Sequence, residues 1–255
     1  MEVHTLSLYK LQTFIRRAIA LNLAEPVWIS AELAECDHNR GHYYLQLVDK
    51  EQDEGDIRAQ ARAILWQATA RRWERTQRMP LSSLLQVGHK LQLLVQVQYH
   101  QRYGLSLQVE DLEPAYTLGQ LAKDREQTIA RLRSEGLWDL NRMTVLPAVP
   151  QRLAIISSPQ AAGLQDFLQQ LNNNPYSYRF RTDLFPASMQ GTQASAEIRR
   201  QLRTLARRRK AYDALVLLRG GGARLDLAIF DELELARAVA RFPLPVLSGI
   251  GHDQD

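Results

Sequence analysis

The sequence runs to 255 residues, 45% hydrophobic and 24% charged, with 32 Lys and Arg against 28 Asp and Glu for a net charge of +4. That composition excludes a disordered or collagenous chain, and the length predicts two domains. So small a net charge also means that any binding of a polyanion rests on local patches and not on the overall field.

The first ten residues, MEVHTLSLYK, lack a basic stretch followed by an apolar core, and nowhere do about 18 apolar residues run together. A cytoplasmic protein with no membrane partner is therefore expected. Leu8, Leu11, Ile15, Ala18 and Ile19 recur at three- and four-residue steps, which predicts an amphipathic helix with Ser7 as its cap. Residues 27 to about 113 then alternate with period two in VWISAEL, HYYLQLVD, IRAQARAILW, KLQLLVQVQYH and LSLQVEDLEP. The helix-compatible WQATARRWERTQR lies between the third and fourth of these strands. Five strands with a helix after the third is the order of an OB-fold, although a small sandwich or SH3-like barrel alternates in a similar way. Cys36, the lone cysteine, excludes an intramolecular disulfide and reads as a filler beside a strand.

The period lengthens from 118 to 135, with Gly136 placed to end a helix, and Pro147 and Pro150 follow in a connector. Thereafter short apolar runs alternate with helical segments. LAIISS, YRFRTDLFP, ALVLLR and PVLSGIG read as strands; AAGLQDFLQQL, TQASAEIRRQLRTLARRR and LAIFDELELARAVAR read as helices. This predicts an α/β domain with a mostly parallel sheet covered on both faces. The expected organisation is an all-β OB-fold domain at 1–116 with an N-terminal helix, a helical connector at 117–150 and an α/β domain at 151–255.

In such sheets the ligand crevice lies outside the carboxyl ends of the strands. Ser157 and Ser158, Pro186, Arg219 with Gly220, Gly221 and Gly222, and Gly249 through His252 all fall there. Three glycines let backbone N–H groups converge on an anion, and Arg219 adds a planar, permanent charge suited to phosphate oxygens. The bland alternative is a flexible turn with a surface arginine. His252, beside Asp253 and Asp255, suits general acid–base work or a structural role. Asp166 lies about one turn into its helix and could face the same rim, but taken alone it reads as a helix-surface carboxylate. Asp226, Asp231, Glu232 and Glu234 mostly fall along one helix, where a solvated face accounts for them, so no obligatory metal is expected. Arg199, Arg200, Arg203, Arg207, Arg208, Arg209 and Lys210 crowd another helix, where a nucleic-acid backbone or the helix dipole accounts for them. In the barrel, Trp28, Tyr43, Tyr99 and Tyr103, with Arg40, His42, Arg58 and Arg102, are candidates to hold a nucleic-acid single strand by stacking and charge. Tyr44 and Trp66 add rings, but alternation forbids Tyr43 and Tyr44 from both facing outward.

The ordered set VWISAEL, GHYYLQLVD, EGLWD, SSPQAAGLQD, FPASMQG, RGGGARLDL and GIGHDQD resembles the large subunit of the exodeoxyribonuclease VII family along essentially the whole chain. The resemblance implies an OB-fold that binds single-stranded DNA and a catalytic domain that hydrolyses its phosphodiesters from either end. The products are oligonucleotides and nucleotides with 5′-phosphates, and no divalent metal or other cofactor is required. It implies Asp166, Arg219, His252 and Asp255 as the catalytic set, with Gly220, Gly221, Gly222 and Ser158 on the phosphate. Several copies of a small helical subunit are the implied partner. The pattern departs from the family at Ser157, which stands where Thr is usual, at Ala223, which stands where Ser is usual, and at NNNP in place of a basic RRxP-like stretch. The family also continues past GHxxD into a coiled coil that recruits the small subunit. This chain ends at Asp255, so that docking region is expected to be absent. Two other readings are an inactive form that serves as a single-stranded DNA-binding module and an enzyme acting on a small phosphate compound.

Overall fold

The computed structural model describes residues 5–51, 56–191, 193–220 and 224–251. The chain divides into two compact units, residues 1–120 and 121–255. Among the described residues no helix is long and apolar enough to cross a membrane.

In the first unit, helix α1 (Leu8–Asn22) begins where the Ser7 hydroxyl accepts a hydrogen bond from the Lys10 N–H at 3.3 Å, as the sequence predicts. Strands β1 (Val27–Asn39), β2 (His42–Lys50), β3 (Ile57–Leu65), β4 (Lys90–His100) and β5 (Gly104–Leu112) close into a barrel in the order β1-β2-β3-β5-β4. This is the expected OB-fold. Strand β1 serves both sides of the closure. Val27 to Glu32 pair with β4, Glu32 to Asn39 pair with β2, and a bulge between Leu33 and Glu35 supplies the bend. Alternation along each strand sends Leu33, Leu45, Leu47, Ala63, Leu65, Leu91, Leu93, Val95 and Val109 into the interior, all of them buried. Between β3 and β4 run α2 (Gln67–Gln77) and the single turn α3 (Leu81–Leu84). Trp73 on α2 is buried and donates its indole N–H to the Leu112 carbonyl at 2.9 Å, which ties the inserted helix to β5. Cys36 is half-buried in β1; burial, and then the neighbouring Asp37, push its thiol upward in pKa, away from thiolate chemistry.

Helix α4 (Pro114–Ser134) starts four residues earlier than its apolar period suggests, and Gly136 follows it at φ 68°. In the second unit, β6 (Arg152–Ser157), β7 (Arg181–Pro186), β8 (Ala214–Arg219) and β9 (Val246–Ile250) form a sheet in the order β7-β6-β8-β9, every pair parallel. Helix α5 (Ala162–Asn172) covers one face, where Leu164, Phe167, Leu168 and Leu171 pack on Leu153, Ile155, Val216 and Leu218. Helices α6 (Ala194–Arg207) and α7 (Leu233–Ala240) cover the other, where Ile198, Leu202, Leu205 and Leu235 meet Ala154, Ile156, Leu215 and Leu217. The central strands β6 and β8 are buried on both faces, which explains why they read as nearly continuous apolar runs.

Two elements differ from the sequence reading. The helix expected over 227–241 is a 3₁₀ stretch (Arg224–Asp231) followed by α7, with Glu232 extended between them. Phe230 and Leu235 both face the same core, and five residues along one continuous helix would have set them about 140° apart. The strand expected from Tyr178 starts at Arg181, because the preceding residues form a turn held by Asn174.

The amino end of the sheet is fastened by Asp213, which accepts from the Gln151 and Arg152 N–H groups at 2.9 and 2.8 Å and from the Arg152 guanidinium at 3.2 and 2.6 Å. The Arg152 side-chain bonds, then the backbone ones, hold this carboxyl at about 2 against an ordinary 3.8, with burial opposing. A depressed folded value gives stability that is present above pH 4 and lost as pH falls toward 2. Asp213→Asn should therefore lower stability by about 1–2 kcal/mol at pH 7, because water screens the half-exposed Arg152. In thermal melts from pH 7 to 2 the wild-type advantage should shrink below pH 4 and vanish near 2. A gap that stayed constant with pH would show that the carboxylate charge is not what fastens the strands.

Candidate functional site

The barrel presents its candidate nucleic-acid groups on one outer face and two hairpin tips. Tyr44 pairs across the sheet with Asp37 on β1 and Ile64 on β3, and Gln46 pairs with Arg62, so these residues share the outer face. Tyr44 is 41% exposed. Tyr43 points the other way, in register with the buried Leu65, and stacks on His38 at 4.5 Å. Alternation states that one of the two tyrosines faces outward; the pairing register decides that it is Tyr44, and Arg62 joins it there. The β1–β2 tip is a two-residue turn with Arg40 at φ 51° and Gly41 at φ 83°. Beside it, the His42 Nδ1 accepts from the Gln67 N–H at 3.1 Å and so caps α2, with its ring edge-on to Trp66. At the β4–β5 tip, Tyr103 is 74% exposed, with the Arg102 guanidinium 5.6 Å from its ring centre and His100 at 4.8 Å. Trp28 is half-exposed on β1, and the Tyr99 hydroxyl donates to Gln12 of α1.

The α/β unit gathers its polar residues where the strand order reverses. Strands β6 and β8 are neighbours, but the chain leaves β6 into α5 on one face and leaves β8 toward α7 on the other. A crevice opens between such strands at their carboxyl ends. Ser157 ends β6 at this point, its buried hydroxyl donating to the Leu218 carbonyl at 2.9 Å. Ser158 follows at once, half-exposed, in a turn whose carbonyl accepts from the Ala161 N–H at 3.0 Å. Arg219 ends β8 and is 6% exposed, so a permanent charge sits inside the fold at the switch point. Gly220 comes next, and α5 approaches it closely. A Cβ on Gly163, in the first turn of α5, would lie 3.0 Å from the Gly220 Cα and 3.2 Å from its N. The positive end of α5 is thereby set against the Arg219–Gly220 backbone. The motif AAGLQD contains this glycine, but the reason for it lies in a strand more than fifty residues away.

Asp166 is exposed on α5, three residues beyond Gly163 and so on the same flank of the helix. Gly221, Gly222, His252 and Asp255 lie outside the described residues. On α6 the apolar residues Ile198, Leu202 and Leu205 face the sheet, while Arg200, Arg203 and Arg207 stand exposed. Arg199 leans toward Glu232 at 3.9 Å. The carboxylates expected on one helix are divided by the break at Glu232. Asp231 is raised in pKa by burial, with Arg125 opposing, and Glu234 pairs with Arg237.

Residues 137–255 match the profile of the family described as exonuclease VII, large subunit, and residues 6–113 match that of an OB-fold nucleic acid binding domain. The chain is 36% identical to the exodeoxyribonuclease 7 large subunit of Deinococcus radiodurans, over 98% of this chain and 61% of that protein. It is 35% identical to the protein of the same name from Tolumonas auensis, over 90% of this chain and 47% of that one. For Parasynechococcus marenigrum the figures are 33%, 99% and 61%. The chain thus spans between about half and three-fifths of the length of these relatives.

Proposed function

The chain belongs to the exonuclease VII large-subunit family, and from that premise we propose that it binds single-stranded DNA through its barrel and hydrolyses phosphodiester bonds at the β6/β8 rim. The observation that carries this reading is the switch point itself, where the Gly220 backbone meets the N-terminus of α5 and the buried Arg219 ends β8, on the Leu215–Leu217 face that α6 and α7 cover. A permanent charge, a glycine backbone and a helix N-terminus each favour an anion. Preorganised donors of this kind, aimed at oxygens that gain charge in the transition state, are worth about 3–4 kcal/mol each.

The reaction is an in-line attack of water on phosphorus. Arg219 and the Gly220 backbone hold the non-bridging oxygens, with Gly221, Gly222 and Ser158 as further donors. Breaking the P–O3′ bond leaves the phosphate on the 5′ side of the released strand. His252 and Asp255, with Asp166, are assigned to moving the two protons, one from the attacking water and one to the leaving oxygen. Since fixed cationic and dipolar groups supply the charge stabilisation, a divalent metal is not required in this proposal. The name "large subunit" of the relatives implies a smaller companion chain, and its docking on residues 1–255 forms no part of the reading.

The test is incubation of the purified chain with end-labelled single-stranded and duplex DNA in excess EDTA, with binding and products resolved on the same samples. Short products from the single strand alone are expected. Binding without products would overturn hydrolysis by this chain and leave the barrel as a binding module.

A further inference from the structure

The amino end of the α/β sheet, opposite the rim, carries a feature that the hydrolytic reading does not use. After α5 the chain makes a tight loop braced by one side chain. The Asn174 amide donates to the Leu171 and Tyr178 carbonyls at 2.8 Å each, and its oxygen accepts from the Tyr178 N–H at 2.9 Å. The Ser177 N–H closes on the Asn174 carbonyl at 3.2 Å, and Ser177 is held at φ 56°. A non-glycine residue in the left-handed region costs energy and persists where the surroundings fix it. Between Leu171 and Phe180, which pack on the core, residues 175–179 stay exposed. The brace displays Tyr176 at 75% exposure and Tyr178 at 59%, their ring centres 5.9 Å apart and their planes tilted by 41° so that neither ring covers the other.

The surroundings are cationic. Residues 172–181, NNNPYSYRFR, contain no carboxylate and two exposed arginines, Arg179 and Arg181. Arg181 is the Cα partner of Arg152, whose guanidinium reaches the Lys210 carbonyl at 3.3 Å, so the patch continues into the turn after α6 with Arg208 and Arg209. Burial and the bond to Asp183 push the Tyr212 phenol up in pKa, with Arg208 and Arg181 opposing, so both arginines act on this one buried ring. The carboxylates within the patch are engaged: Asp183 accepts from the Tyr212 hydroxyl at 3.0 Å and lies 3.8 Å from Arg181, and Asp213 is occupied by Arg152.

We propose that this end of the sheet is a second holding site for single-stranded DNA, with bases stacking on Tyr176 and Tyr178 and phosphates held by Arg179, Arg181 and the Arg208–Lys210 turn. Exposed ring faces favour unpaired bases, because a duplex hides the faces of its bases, and the arginines supply the charge that the backbone requires. Strands of six residues put this site about 20 Å from the rim. A strand held here is thus gripped away from the bond being cut.

The proposal rests on the single-strand reading, and its test separates the two. The chain of residues 1–255 is titrated with labelled oligothymidine in the cold, with the oligonucleotide checked for integrity. Wild type, Y176A/Y178A and R179Q/R181Q are compared, each also in a Tyr44→Ala, Arg62→Gln background that weakens the barrel. The loss of the two tyrosines should weaken binding about tenfold in that background. The loss of the two arginines should reduce the slope of log K against log salt by about 1.4, at about 0.7 per phosphate. Unchanged affinity and salt slope in protein that still binds and cuts single strands would overturn this site alone. Equal affinity for duplex DNA would overturn it too, and failure of the wild type to bind single strands would overturn it together with the reading on which it rests.

Discussion

Arg219→Ala is expected to reduce cleavage of single-stranded DNA by at least about a thousandfold while its dissociation constant changes by less than about threefold. The asymmetry follows from placement. Arg219 ends β8 in the α/β unit, whereas the stacking and basic groups Tyr44, Arg62, Arg102 and Tyr103 belong to the barrel. Because the side chain is buried, its removal also leaves a void, and the alanine variant has to be shown folded by its melting curve. Arg219→Lys provides the second arm. It keeps the charge but loses the planar fork, so turnover should fall about a hundredfold with KM nearly unchanged. A lysine variant with full activity would show that the site needs only a point charge, and equal losses of binding and turnover would end the division of labour between the two units.

Gly163→Ala is the second large effect, and its sign is informative. In an unobstructed helix an alanine replacing glycine stabilises by about 1 kcal/mol. Here the new methyl meets the Gly220 backbone at 3.0 Å, and backbone cannot rotate away as a side chain can. We expect a net loss of about 1–3 kcal/mol from overpacking and a fall in cleavage of about a hundredfold, since a displacement of one ångström at a reacting centre has that size. Single-strand affinity should hold. A Gly163→Ala variant that melts higher and cuts normally would mean that α5 and β8 tolerate separation and that their close approach has no catalytic meaning.

Much of the architecture is legible in the sequence because its periods are clean. Five alternating runs with a helix after the third give the barrel, and continuous apolar runs between helices give the parallel sheet. Ser7 reads correctly as a cap because capping is local. What escapes is what depends on distant partners. The break at Glu232 carries no glycine or proline and arises because Phe230 and Leu235 share one core. The choice between Tyr43 and Tyr44 depends on register, and the role of Gly163 depends on a strand that follows much later. Of the site, Arg219, Gly220 and Ser158 are found together at the rim with Asp166 on the flank of α5, while Gly221, Gly222, His252 and Asp255 lie outside the described residues. The braced tyrosine loop is illegible for the same reason as the helix break, since NNNPYSY announces a turn but not which asparagine holds it.

The barrel closes unevenly. Strands β1 and β2, β2 and β3, and β4 and β5 are joined by long antiparallel registers, but β3 and β5 meet in parallel over only two residue pairs, Ala63 with Leu107 and Ile64 with Gln108. Sub-global opening starts where the fewest cooperative bonds resist it. That seam is therefore where opening of the barrel is expected to begin, and an opening there would leave whole the β1–β2–β3 ladder that carries Tyr44 and Arg62.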